Sequence, residues 1–287
     1  MIPSFGPSIV TRFAPSPTGH LHLGHAHSAL LAWRTAERSG GRFLLRIEDI
    51  DRSRCRPEFE AAIAEDLAWL GLDWERPVRR QSEHFEEYGS VLSRLEEIGV
   101  LYPCFCSRKD IAAAASAPHG SEGVIYPGTC RNLDPILAVE RQARGDPFAL
   151  RLDVAKAHRI SGPIAFRNIE PDGNEREIPA RPERLGDVVL GRRDVPASYH
   201  LCVTWDDHVQ GVNLVIRGED LRDSTHIHRL LQALLGLATP HYRHHLLLTN
   251  ETGIRLSKRD GAQALRALRA AGVDGGAVRA MAGFPDA

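Results

Sequence analysis

Residues Val10–His25 read VTRFAPSPTGHLHLGH. The stretch opens on a short apolar run (Ile9, Val10, Phe13), breaks at Pro15 and Pro17 and turns at Thr18–Gly19. It then enters a helical pattern with Ala26, Leu30 and Trp33 on one face. A strand, a tight turn and a helix in that order aim the first helical N–H groups into the turn, which makes a phosphate site. Gly24 has no side chain, so a base or ribose can lie against the backbone at the helix mouth. His22 and His25 flank it and supply donors to a five-coordinate phosphate.

A second stretch, RLSKR at Arg255–Arg259, lies far downstream. The chain has three lysines (Lys109, Lys156, Lys258) among 36 Lys and Arg residues, so a lysine inside this stretch stands out. Its ammonium is a compact charge suited to a mobile phosphate clamp. HLGH after PSPTG resembles the HIGH element of class I aminoacyl-tRNA synthetases, and RLSKR resembles their KMSKS loop. The lead-in RFAPSPTG is similar to the glutamyl branch of that class.

This resemblance implies an α/β, Rossmann-type catalytic core that activates glutamate with ATP and Mg²⁺. It implies catalytic roles for His22, His25 and Lys258, and ATP contacts from His22, Gly24, His25, Ser257 and Lys258. It also implies glutamate contacts from Arg12, Phe13, Ala14, Pro15, Ser16, Glu48, Tyr199 and Arg217.

Composition narrows the class independently. A chain of 287 residues with 43% hydrophobic and 25% charged residues can bury one large core or two modest ones. A formal charge of −1 excludes a protein that is basic all over, so any nucleic-acid contact has to come from local patches. No apolar run approaches the eighteen residues of a membrane span, and no charged-then-apolar leader opens the chain, so a cytoplasmic protein is expected.

FLLRIEDIDR at Phe43–Arg52 reads as a buried parallel strand with acidic residues at its carboxyl end. Ligands of doubly wound sheets sit there. Glu48 is placed to meet a substrate ammonium, or else to pair with Arg46 or Arg52. Pro57 opens a helix with Phe59, Ile63, Leu67 and Leu70 inward; a second runs through Phe85, Tyr88, Leu92, Leu95 and Ile98. Both read as packing helices. Arg52, Arg54, Arg56, Arg76, Arg79 and Arg80 read as a solvated face, with an RNA-backbone track as the alternative.

Five cysteines, an odd and clustered set, argue against a disulfide framework. Cys104, Cys106 and Cys130 suggest a structural Zn²⁺ clip that needs a fourth ligand. His119 would complete the common Cys₃His set, whereas the family resemblance points to Tyr126.

From about 131 to 195, strand-like runs (FALRLDV, PIAFR, DVVLGRRD) alternate with Pro and Gly breaks, as in an inserted α+β subdomain. PDGNERE within it reads as a mobile loop. Tyr199 then begins a helix and offers its hydroxyl to the substrate, and a buried strand at Asn213–Ile216 delivers Arg217. A guanidinium there can hold a carboxylate in a bidentate pair, and Arg12 is a second of the kind. With Glu48 they describe a ligand with two carboxylates and one ammonium. Glutamine would leave a buried guanidinium without its counter-charge. Asp206, Asp207 and His208 read as structural, and a helix carrying Ile227, Leu230, Leu231 and Leu234 packs on the sheet.

The expected organisation is a first catalytic half at 1–101, the insert with its zinc clip at 102–196, and a second half at 197–287. The tail after Lys258 shows only a short helical pattern (Leu265, Leu268, Val278, Met281), with no anticodon-reading domain expected. That combination resembles the branch that places glutamate on queuosine in the anticodon loop of tRNA(Asp). A monomer with no membrane contact is expected. A truncated synthetase charging a tRNA 3′ end and a non-catalytic RNA-binding paralogue are the alternatives.

Overall fold

Three parallel strands lead the chain: β1 (Val10–Phe13), β2 (Arg42–Ile47) and β3 (Glu75–Arg80), with β2 in the middle. They belong to a computed structural model that describes residues 8–107, 109–111, 125–192, 195, 197–248 and 264–285. Helix α1 (Leu23–Arg38) crosses from β1 to β2 and buries Ala26, Ala29, Leu30 and Ala32. Alanines on that face let the helix axis approach the sheet closely, and Gly40, at φ 62°, turns the chain back into β2. Helix α2 (Pro57–Trp69) starts on a proline, whose missing N–H costs nothing in a first turn. Helix α3 (Phe85–Glu97) sets Tyr88, Val91, Leu92 and Leu95 inward.

A small antiparallel sheet follows, with β4 (Leu101–Cys104) and β8 (Val189–Arg192) flanking β5 (Ala149–Leu152). Helices α4 (Pro135–Ala143) and α5 (Val154–Ser161) lie along this stretch. The hairpin of β6 (Ala165–Ile169) and β7 (Glu175–Pro179) then joins a four-stranded sheet ordered β7-β6-β10-β9. Its other members are β9 (Leu214–Gly218) and β10 (His241–His245), and β10 runs parallel to both β6 and β9. Helices α6 (Tyr199–Val209) and α7 (Ser224–Leu235) precede β9 and β10.

The two parallel sheets meet where β1 lies beside β9. The Asn213 N–H donates to the Val10 carbonyl at 3.2 Å, and the Val10 N–H donates to Asn213 Oδ1 at 2.8 Å. At the other end of the seam, Arg12 Nη1 donates to the Ile216 carbonyl at 3.2 Å. Strand order reverses here, with β2 and β3 on one side and β10 and β6 on the other, which is where doubly wound sheets hold ligands. One core fills the face under α1 and α2, and a second fills the face under α3, α6 and α7. Each fully buried Leu or Ile in them contributes about 1.5–3 kcal/mol. The tail helices α8 (Leu265–Ala270) and α9 (Gly275–Met281) close the first core with Leu265, Leu268 and Val278.

Several expectations need correction. Residues Glu75–Arg80 form a third parallel strand, not a stretch between packing helices, so Arg79 is no part of a solvated face. Its side chain is 10% exposed and pairs with Asp206 at 2.8 Å and Glu87 at 2.7 Å. PDGNERE is a hairpin turn running into β7: Gly173, at φ 85°, reverses the chain and Asp172 accepts from the Asn174 N–H. In the tail, Met281 is exposed and Ala282 and Phe284 are buried in its stead. Among the described residues no helix is long and apolar enough to cross a membrane.

Tail docking leaves one carboxylate in an unfavourable place. Asp66 on α2 is fully buried and neither of its oxygens is hydrogen-bonded; Arg269 Nη2 lies 3.6 Å away. Burial pushes its carboxyl up to about 6. A raised folded-state value means that stability falls as pH rises from the unfolded value near 4 through 6. Asp66→Asn is therefore expected to raise unfolding free energy at pH 8 by about 1–2 kcal/mol. Denaturant titrations at pH 8 and pH 4.5 check it, because the gain should shrink towards zero at the lower pH.

Candidate functional site

A cavity of about 380 Å³ opens at the carboxyl ends of β1 and β9, against the first turn of α1. Arg12, Phe13, Ala14, Pro15 and Ser16 line it from β1 and the turn that follows. His22, Gly24 and His25 come from the head of α1, Glu48 from beyond β2, Tyr199 from the head of α6 and Arg217 from the end of β9. Residues separated by more than 200 positions in the chain are thus brought to one hollow. Ser257 and Lys258 lie outside the described residues, as does His119.

The two histidines do more than line the wall. His22 is the N-cap of α1: its Nδ1 accepts from the Gly24 N–H at 3.1 Å, and His25 Nδ1 accepts from the His22 N–H at 3.2 Å. This reciprocal cap satisfies amide groups that a helix start leaves open. It also sets the tautomer, because an Nδ1 lone pair that accepts leaves the imidazole proton on Nε2. Each ring therefore carries one N–H donor on the edge away from its cap. The helix terminus thus fixes the orientation of both rings.

Glu48, the expected ammonium ligand, also forms the plainer pair: Arg46 Nη2 donates to its Oε1 at 3.2 Å. Burial raises its carboxyl above the usual range, although Arg46 and Arg12 pull the other way. Arg46 is fully buried. Burial works against its charge, but Asp207, Glu48 and Asp206 outweigh that and raise its pKa. Arg12, expected as a free carboxylate binder, already has an internal partner: its Nε donates to Asp207 Oδ1 at 3.0 Å. The same oxygen accepts from Arg46 Nη1 at 2.8 Å. Asp206 takes Arg79, Gln81 and the Tyr88 hydroxyl. Arg12, Arg46 and Arg79 are balanced by Asp206, Asp207 and Glu48.

Arg217 stands apart from that balance. It is 5% exposed, yet its hydrogen bonds go only to neutral acceptors. Nη2 donates to Thr225 Oγ1 at 2.7 Å, and Nη1 to the Tyr199 hydroxyl oxygen at 3.2 Å and His228 Nδ1 at 3.3 Å. Nε donates to His244 Nε2 at 3.4 Å. Burial, then the Arg217 charge, pushes His200 down to about 4, His244 down to about 2 and His228 well below its usual value, so all three are neutral. Among the described residues no carboxylate pairs with Arg217. A buried cation of this kind calls for an anionic ligand.

Sequence reasoning did not find Thr225, His228 or His244, and named Arg46 only as an alternative partner for Glu48; Asp207, read as structural, pairs with Arg12 and Arg46. One signal was present: Arg46 and Glu48 interrupt an apolar strand, and a charge inside a buried strand needs a partner.

A second cavity of about 370 Å³ shares Ser16, Thr18, Glu48 and Tyr199 with the first, and continues past Ile50, Gln81 and Val189.

Away from both, Cys104, Cys106 and Cys130 bring their sulfurs within 4.8 Å of one another. A tetrahedral zinc with Zn–S near 2.3 Å places its sulfurs about 3.8 Å apart, which this spacing allows. The Tyr126 hydroxyl lies 3.8 Å from Cys106 Sγ and accepts from the Cys130 N–H at 2.7 Å. Arg151 stacks over its ring at 3.8 Å. The donor set fits the metal.

Residues 8–279 match the family described as tRNA synthetases class I (E and Q), catalytic domain. The glutamyl-Q tRNA(Asp) synthetase of Rhodobacter capsulatus is 46% identical over 289 residues, covering 96% of this chain and 100% of that protein. The glutamyl-Q tRNA(Asp) synthetase of Symbiobacterium thermophilum is 46% identical over 276 residues, 91% of this chain and 81% of its own. A crystal structure of a glutamate tRNA ligase from Elizabethkingia meningosepticum, in complex with its amino acid, superposes with a TM-score of 0.71 at 27% identity. The match covers 89% of this chain and 53% of that one, so this chain spans about half the length of the ligase.

Proposed function

Because the chain belongs to the class I tRNA synthetases of the E and Q group, we propose that it activates L-glutamate with ATP and transfers it to queuosine in the anticodon loop of tRNA(Asp). The names of its relatives at 46% identity support the acceptor. One observation carries the amino acid: Arg217 is a buried cation dressed by neutral acceptors alone, at the floor of the cavity that also holds the α1 mouth. The side-chain carboxylate of glutamate supplies the missing charge, and Glu48 meets the α-ammonium. Glutamine brings no charge and leaves Arg217 unbalanced.

In the first step an α-carboxylate oxygen of glutamate attacks the α-phosphorus of ATP, and pyrophosphate leaves. The His22 and His25 Nε2–H donors and the α1 N-terminus hold the phosphates as charge builds, with Lys258 as the clamp and Ser257 beside it. Mg²⁺ brought in with ATP would supply further positive charge to the phosphates. In the second step an acceptor hydroxyl attacks the glutamyl carbonyl, its proton passes to a phosphate oxygen of the adenylate, and AMP leaves. The second cavity, joined to the first at Ser16 and Glu48, is the way in for that hydroxyl. Positioning and charge stabilisation supply the rate, with no covalent enzyme intermediate. We take the chain to act as a monomer, with the first half ending near 101 and the insert near 196.

Labelled glutamate tests the acceptor. Transfer is expected to tRNA(Asp) carrying queuosine and not to the same tRNA lacking it, with nuclease mapping placing the label in the anticodon loop. Label at the 3′-terminal adenosine would replace this function with that of a truncated synthetase.

Cys104, Cys106, Tyr126 and Cys130 would hold a structural Zn²⁺ that fixes the end of β4 to the segment before α4. Freshly prepared protein is expected to carry about one zinc per chain, and Cys104→Ser with Cys106→Ser to carry none. Metal analysis of chelator-free protein checks this. Loss of zinc in His119→Ala with retention in Tyr126→Phe would make His119 the fourth ligand.

A further inference from the structure

Arg217 is useful for selecting an acid only while every group that touches it from the protein side stays an uncharged acceptor. His244, on β10, meets this condition through a chain of contacts that begins at the protein surface. Glu170, at the end of β6, accepts from Asn168 Nδ2 at 3.0 Å. A carboxylate cannot donate, so the Asn168 amide is turned with its nitrogen towards Glu170 and its oxygen towards His244. Asn168 Oδ1 lies 2.8 Å from His244 Nδ1, and an amide oxygen can only accept. The His244 proton is therefore on Nδ1. Its Nε2 lone pair faces the Nε–H of Arg217 at 3.4 Å and the Thr225 hydroxyl at 3.2 Å. Asn168 is 1% exposed and His244 6%, so water does not compete for these contacts. The opposite tautomer would aim an N–H at a guanidinium N–H, two donors facing each other in a buried place.

We propose that Asn168 and His244 are positioning residues for substrate selection: Asn168 locks the His244 tautomer, and His244 holds Arg217 in line for a side-chain carboxylate without neutralising it. This rests on Arg217 receiving that carboxylate. It adds that preference for the acid over the amide depends on two residues that do not line the cavity. It also gives the β6 strand a function, since its parallel pairing with β10 sets Asn168 beside Tyr242, two residues from His244.

The test is ATP–pyrophosphate exchange with glutamate and with glutamine, on the full chain. Wild-type protein that exchanges with glutamate establishes the underlying assignment, and failure there is separate from failure of this proposal. His244→Gln and His244→Glu have the same size and differ by one charge. Gln offers Arg217 a neutral oxygen and should stay within roughly threefold of the wild-type glutamate KM. Glu neutralises Arg217 and should raise that KM at least ~30-fold over the Gln variant and remove the preference for glutamate, with the ATP KM unchanged. Equal glutamate KM values for the two variants would overturn the proposal.

Asn168→Leu gives an independent reading. It should raise the glutamate KM roughly tenfold in the wild-type background and less than about twofold in the His244→Gln background, since an amide has no tautomer to lock. The same effect in both backgrounds would mean that Asn168 only supports the fold, and would overturn its part in the proposal.

Discussion

Arg217→Met is expected to raise the glutamate KM by roughly 10- to 10²-fold while the ATP KM stays within about twofold. A charge-assisted contact to a carboxylate is worth about 1.5–3 kcal/mol, and this one would be made by a side chain only 5% exposed. Methionine fills similar volume, so little packing is lost. The stability of the ligand-free protein should not fall. Arg217 is buried without a carboxylate partner among the described residues, so removing its charge removes a desolvation cost along with three long hydrogen bonds and a short one to Thr225. Binding and stability are thus expected to move in opposite directions. Steady-state exchange kinetics and thermal melts with and without glutamate measure both. A drop in melting temperature together with equal KM changes for ATP and glutamate would mean a folding defect, and the assignment of Arg217 would not survive it.

Asp207→Ala is expected to cost about 3–5 kcal/mol of stability, the largest effect of any single change considered for this protein. One Asp207 oxygen accepts from both Arg12 and Arg46, which are 4% and 0% exposed. Its removal leaves two buried guanidinium groups sharing what Glu48 and Asp206 can offer. Burial opposes the Asp207 charge, but Arg12 and Arg46 outweigh it and hold the carboxyl below the usual range. For a lowered folded-state value, the stabilisation is present above the unfolded value near 4 and is lost as pH falls through the folded one. Denaturant midpoints for wild type and variant should therefore be far apart at pH 7 and draw together as pH is lowered past the usual carboxylate range. A gap independent of pH would show that shape and not charge is what Asp207 supplies. Asp66, whose shift has the opposite sign, works the other way across the same range.

Local order and chemistry were open to sequence reading because they depend on neighbours in the chain. PSPTG breaks a strand and HLHLGH starts a helix through rules that act within one or two turns, and the structure has both where expected. The cysteine cluster was legible from the restricted chemistry of thiols outside a disulfide framework. Strand β9 was legible from its apolar run, and Arg217 falls within its last two residues, still buried. Strand β3 was hidden, since its sequence, ERPVRR, carries almost no apolar signal. It forms because β2 offers an unpaired edge and because Arg79 finds Asp206 on a helix 127 positions later.

The division of labour among the arginines belongs to the tertiary structure alone. Arg12, Arg46 and Arg217 are chemically identical, and their neighbours in the chain do not say which is neutralised: Glu48 stands two residues from Arg46, but Asp207 is 161 and 195 positions from the two arginines it pairs with. Packing α6 across β1 and β2 sets Asp207 against Arg12 and Arg46, whereas α7 and β10 surround Arg217 with a threonine and two neutral histidines. The sequence determined that a strand–turn–helix with two histidines at the helix mouth, an acidic strand end and two candidate arginines exist. Only the fold decided which arginine is left without a carboxylate partner among the described residues, because that depends on which buried carboxylates lie within about 4 Å.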